Sequence, residues 1–128
     1  MSSLPHRFTI TVDGKHIAKP EQKSEELFQA ETGNEPAVFE LQGDHLVSGD
    51  FTLGRWIIEN KSLQPKPLMW HKNDEASEKL QPVKVKDGAN GPEISFGNNS
   101  GLVVHDDKVF APLIEDEAQR VEIHAAEN

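Results

Sequence analysis

The chain has 128 residues, 22 of them acidic against 13 basic, a net charge of −9 and no cysteine. That length suits one domain with its own core, residues 1–128, and needs no disulfide or metal to fold. The missing cysteine excludes disulfides, thiolate catalysis and thiolate zinc sites. The acidic balance argues against nucleic acid as a partner, because phosphate backbones are repelled.

No apolar run approaches the length of a membrane helix, so no membrane partner is expected. Residues 1–5 hold no signal-peptide core, and with the absent cysteine this favours the cytoplasm. The charge is uneven. Residues 61–86 carry six lysines and three acids, while the segments on either side are acidic.

Alternation of apolar and polar residues is the dominant pattern along the chain, and it predicts half-buried strands. Phe8, Ile10 and Val12 share one face, Asp13-Gly14 is a hairpin turn, and His16-Ile17-Ala18 is the return strand, giving an N-terminal hairpin over 7–19. Residues 20–30 are rich in Glu, Gln and Lys, with Pro20 at the start and Gly33 beyond the end, which predicts a short helix. Residues 37–41 alternate, and Gly43-Asp44 turns into His45-Leu46-Val47. Residues 51–59 form the longest β-like run, and residues 67–71 another strand. Asp74 to Leu80 reads as a second helical turn. Strands follow at 82–86, 93–96, 102–105, 109–111 and 120–124. About ten to twelve short strands with close turn signals predict an all-β fold, a small closed barrel or a β-sandwich.

A faint internal repeat refines this. Residues 20–73 align with 74–128: Ser24-Glu25-Glu26-Leu27 returns as Ser77-Glu78-Lys79-Leu80, Leu46-Val47 as Leu102-Val103, and His71 as His124. The repeat predicts pseudo-two-fold symmetry, with the N-terminal hairpin as a partial third copy. A β-trefoil is the alternative, since it also needs about twelve strands.

No Gly-x-Ser-x-Gly elbow, Gly-x-Gly-x-x-Gly or P-loop is present, so no catalytic residue and no cofactor is assigned. The six histidines show no metal-ligand spacing, and no metal site is assigned. His45 beside Asp44 and His105 beside Asp106 would be the residues of a rival small enzyme or metal-dependent reading.

The loop 61–67 is the first binding candidate. Pro65 and Pro67 stiffen it around Gln64 and Lys66, which lowers the entropy lost on docking and resembles how protease inhibitors present a lysine. Trp70 adds a possible aromatic anchor, although its alternating strand also suits the core. Asn90, with Asn98 and Asn99 in the Gly-rich turn, is the second candidate, because such clusters bond sugar hydroxyls; turn chemistry explains it equally. The expectation is a non-enzymatic binding protein with a protein partner, or else a lectin-like one with carbohydrate, acting as a monomer or small homo-oligomer.

Overall fold

The computed structural model describes residues 5–20, 27–57, 66–73, 76–88, 91–96, 102–112 and 120–126. Local turn chemistry sets the hairpins. Strand β1 (Phe8–Val12) returns as β2 (Lys15–His16) through Asp13 and Gly14, whose φ values are 52 and 84. Two consecutive left-handed residues match the twist of a two-residue hairpin. β3 (Leu27–Gln29) precedes a meander of β4 (Glu40–Gln42), β5 (His45–Ser48), β6 (Phe51–Arg55) and β7 (Lys66–Lys72). Gly43 and Gly49, at φ 62 and 59, open the first two turns of that meander.

A single helical turn, α1 (Ala76–Lys79), leads to the hairpin of β8 (Lys84–Gly88) and β9 (Gly91–Ser95). β10 (Val103–His105) and β11 (Lys108–Ala111) turn through Asp106 and Asp107, again both left-handed. β12 (Val121–Ala125) closes the described chain. The protein is nearly all β.

Three sheets result, in the orders β12-β1-β2, β10-β11-β7-β6-β5-β4 and β8-β9. β7 is the hub of the large sheet. β6 pairs along one edge of it, while β3 and β11 share the other edge end to end, at Phe28↔Trp70 and Phe110↔Pro67. These sheets do not close into a barrel, which corrects the closed-barrel expectation. Single bridges at Phe8↔Phe39, Ile17↔Thr32 and Ala18↔Pro36 instead tie the small sheet to the large one.

The helix expected over 20–30 is also corrected. Leu27–Gln29 is a strand, because the edge of β7 offers backbone partners and Phe28 becomes buried there. Residues 21–26 lie outside the described residues. The second expected helix matches α1.

One hydrophobic cluster joins the sheets, drawing Phe8, Ile10 and Val12 from β1, Leu46 and Leu53 from the meander, and Ile94 and Phe96 from the β8–β9 region. Its centre is an aromatic stack. Phe39 lies 6.0 Å from Phe8 and 5.7 Å from Trp70, the latter with ring planes only 5° apart. Buried Arg55 donates from Nη1 to the Phe96 carbonyl at 3.2 Å, which fastens the end of β9 to the large sheet.

Gly54 marks the tightest backbone approach. A Cβ there would stand 3.2 Å from the Gln81 carbonyl oxygen and 3.3 Å from Leu80 Cβ. Gly54→Ala is therefore expected to destabilise the fold by about 1–2 kcal/mol, read as a lowered urea midpoint at unchanged slope.

Candidate functional site

The segments that carry the small sheet onto the large one also build a surface groove. Residues 16–19 and 31–37 are laced together by backbone bonds: Ala18 N to Glu31 O, Lys19 N to Glu35 O, Gly33 N to His16 O and Ala37 N to Ile17 O, at 2.8 to 3.1 Å. Gly33 suits this lacing, since a Cβ there would crowd Ala18 Cβ at 3.0 Å. Pro20 and Pro36, with φ fixed by their rings, give the two segments stiff rims.

Three hollows lie along this lacing, each sharing lining residues with the next. The inner lobe, about 280 Å³, lies between Gln29, Thr32 and Asn34, with Phe28 and Trp70 beneath. It shares Lys19, Pro20 and Glu35 with a central lobe of about 720 Å³ that reaches Pro36, Val38 and Asp50. Val38 and Gly49 lead on to an outer lobe of about 330 Å³ beside Arg7, Glu40 and Gln42.

Val38 is the apolar feature of this surface. It is 43% exposed, while its neighbours Ala37 and Phe39 are fully buried. Alternation forces this: with Phe39 turned into the aromatic stack, Val38 must face out. The far wall is the β5–β6 turn, and Asn73 holds it. Thr52 Oγ1 donates to Asn73 Oδ1 at 2.7 Å, Asn73 Nδ2 donates to the Gly49 carbonyl at 3.0 Å, and Asn73 N donates to Asp50 O.

Charges along the groove divide into paired and unpaired. Arg7 Nε donates to Glu40 Oε1 at 2.8 Å, and this hydrogen bond holds the Glu40 carboxyl below its ordinary range. Lys108 Nζ meets Glu31 Oε1 at 2.8 Å. Among the described residues, Lys19, Glu35 and Asp50 enter no ion pair. The central lobe therefore carries two carboxylates against one ammonium.

The residues singled out from the sequence fall elsewhere. Lys66 opens β7 opposite Ala111 and is buried, at 5% exposure, and it is already engaged. The strand extends two residues into what the sequence reads as a loop, so Lys66 is not displayed on a stiff exposed segment. Pro67 is half-buried opposite Phe110. Trp70 is a core residue that touches the groove only from beneath. Gln64, Pro65, Asn90, Asn98 and Asn99 lie outside the described residues.

His45 and His105 each stand beside the aspartate that the sequence pairs with them, at 3.5 and 3.7 Å, but in separate hairpins. Among the described residues, no three His, Asp or Glu side chains gather as a metal site would need. The residues of the groove were missed, and one signal for them existed: Val38 is an apolar residue on the polar phase of an alternating strand.

No protein-family model, curated protein or solved structure matches this chain.

Two outcomes follow from the geometry. Asn73→Ala leaves the buried Thr52 hydroxyl without its acceptor, so a loss of about 1–3 kcal/mol is expected, with the amide resonances of residues 49–51 shifting in NMR. Arg7→Gln is expected to raise the Glu40 titration midpoint toward ordinary carboxylates, read by carboxyl-carbon NMR. Because the folded midpoint is depressed, the contribution of this pair is present above the unfolded midpoint and fades as pH falls through the folded one. The variant should lose that part of the acid-side dependence.

Proposed function

We propose that the chain is a non-enzymatic binding protein that takes an extended, basic peptide segment of a protein partner in this groove. The observation that carries the reading is Val38, exposed where the central and outer lobes meet and flanked by proline rims. An exposed apolar side chain in a rigid concave surface offers burial without ordering cost. Glu35 and Asp50 supply unpaired negative charge beside it, and a body of net charge −9 steers a cationic partner toward it.

The protein-partner reading thus rests on the groove and not on Lys66. Carbohydrate recognition is the second candidate, but sugar binding favours an open aromatic face, and Phe51 and Trp70 at this groove are buried. That observation favours a peptide. The two-unit architecture stays part of the proposal: the aligned hairpins β5–β6 and β10–β11 each turn on two residues.

Selection from a phage-displayed dodecapeptide library tests the reading. Enrichment of Lys- or Arg-containing peptides with an apolar centre is expected. Val38→Asp should weaken the selected peptide about tenfold, as loss of one buried aliphatic contact implies, and Glu35→Lys should weaken it further. A library that yields no binder, or binders indifferent to both substitutions, would overturn the groove as the site. A positive glycan array abolished by Asp50→Ala would replace the peptide with a sugar.

A further inference from the structure

β12 is the outer strand of the small sheet, and its hydrogen-bond phase is fixed by two bonds. Asp13 N donates to Arg120 O at 2.6 Å, and Ala126 N donates to Arg7 O at 2.9 Å. The even-numbered residues of β12 therefore address β1. By the alternation of an antiparallel ladder, the N–H and C=O groups of Val121, Ile123 and Ala125 point away from it. Among the described residues nothing pairs with them.

Exposed strand edges are normally blunted by lysine, proline or a bulge. The β8–β9 hairpin has Lys84, Lys86 and Pro92. The β12 sequence Val-Glu-Ile-His-Ala has no lysine or proline and one charged residue, Glu122, and its register with β1 is continuous from Val121 to Ala125, without a bulge.

We infer that this edge pairs with β12 of a second copy of the chain, antiparallel, about a two-fold axis at Ile123. In that register Ile123 faces Ile123 of the second copy, and Val121 faces Ala125. Every outward N–H and C=O of the five-residue strand then finds a partner. Glu122 faces His124 of the second copy, and His124 faces Glu122, so a carboxylate acceptor stands opposite an imidazole on both sides of the axis.

The neighbouring registers of the same phase are worse. A slip of one step toward the N-terminus sets Glu122 against Glu122, and the opposite slip sets His124 against His124. Like groups directly opposite are unfavourable. The flanking groups are compatible with the pairing. His124 Nε2 lies 3.1 Å from Thr11 Oγ1, which holds the imidazole over the sheet face, and Arg120 Nη2, just before the strand, lies 3.5 Å from Glu122 Oε2. The two small sheets join into one continuous sheet, ordered β2-β1-β12-β12-β1-β2.

A five-residue ladder falls short of a standard interface, so the dimer is weak, with a Kd on the order of 10–100 μM. Sedimentation equilibrium from about 10 μM to about 1 mM protein brackets that range and tests the pairing. The native chain is expected to shift from monomer to dimer across it. Ala125→Pro removes an outward N–H that makes no bond within the monomer and sits at an exposed edge position, where proline is tolerated. It should raise the dissociation constant at least about tenfold. Glu122→Lys should do the same, and the double variant Glu122→Lys/His124→Glu should return it to the native value.

A native chain that stays monomeric throughout overturns the inference, as does a folded Ala125→Pro variant that dimerises unchanged. Should Ala125→Pro lose the native circular dichroism, the charge exchange decides. Failure of Glu122→Lys to weaken the dimer, or of the double variant to restore it, overturns the pairing.

Discussion

The structure hangs on the position of Phe39. Its backbone exchanges two hydrogen bonds with Phe8, at 3.1 and 2.7 Å, and its ring lies between the rings of Phe8 and Trp70. One residue thereby makes both the backbone bridge and the packing contact between the small sheet and the large one. Two separate sheets that share a core need a common element, because each must bury its apolar face against the other. Here that element is a set of single bridges, the one at Phe39 beside an aromatic stack, rather than a continuous ladder. The groove follows from the same residue: once Phe39 turns inward, Val38 and the proline rims are carried to the outside.

β7 complements this at the other side of the core. It accepts β6 along one edge and divides its second edge between β3 and β11. Strands far apart in sequence therefore meet on one template, and the lacing of residues 31–37 over residues 16–19 is anchored where β3 leaves that template. Asn73, just beyond the end of β7, reaches back to the β5–β6 turn and fixes the far wall of the groove. The site is consequently built from segments that are each bonded at both ends, which is what a preorganised binding surface requires.

The legible parts of the sequence were local. Asp13-Gly14 and Gly43-Asp44 named their hairpins because the turn conformations they favour are properties of two adjacent residues. Alternation set Phe8, Ile10 and Val12 on one face, and all three lie in the core. The misread parts depended on distant partners. Leu27–Gln29 carries a helix-like neighbourhood, yet the vacant edge of β7 made it a strand. Lys66 sits between two prolines and reads as loop, but Ala111 pairs with it from far along the chain. The repeat aligned Leu27 with Leu80, whereas one lies in a strand and the other follows α1, where its residue bridges Trp56. Similar apolar spacing does not distinguish these settings, since only the neighbours supplied by the fold differ.

The groove side and the β12 side stand on opposite edges of β1. Phe8 bonds Phe39 on one side, and Thr9 and Thr11 pair with His124 and Glu122 on the other. Pairing through β12 therefore leaves the groove beside Val38 uncovered. A dimer formed in this way presents two grooves related by a two-fold axis. A weak dimer that holds two weak peptide sites gains from a partner bearing two basic segments, because the second binding event becomes intramolecular. The same partner would in turn draw the copies together, so that each weak equilibrium supports the other. Under that coupling, neither interface needs to be large, which is consistent with a five-residue edge and an open groove on a domain of this size.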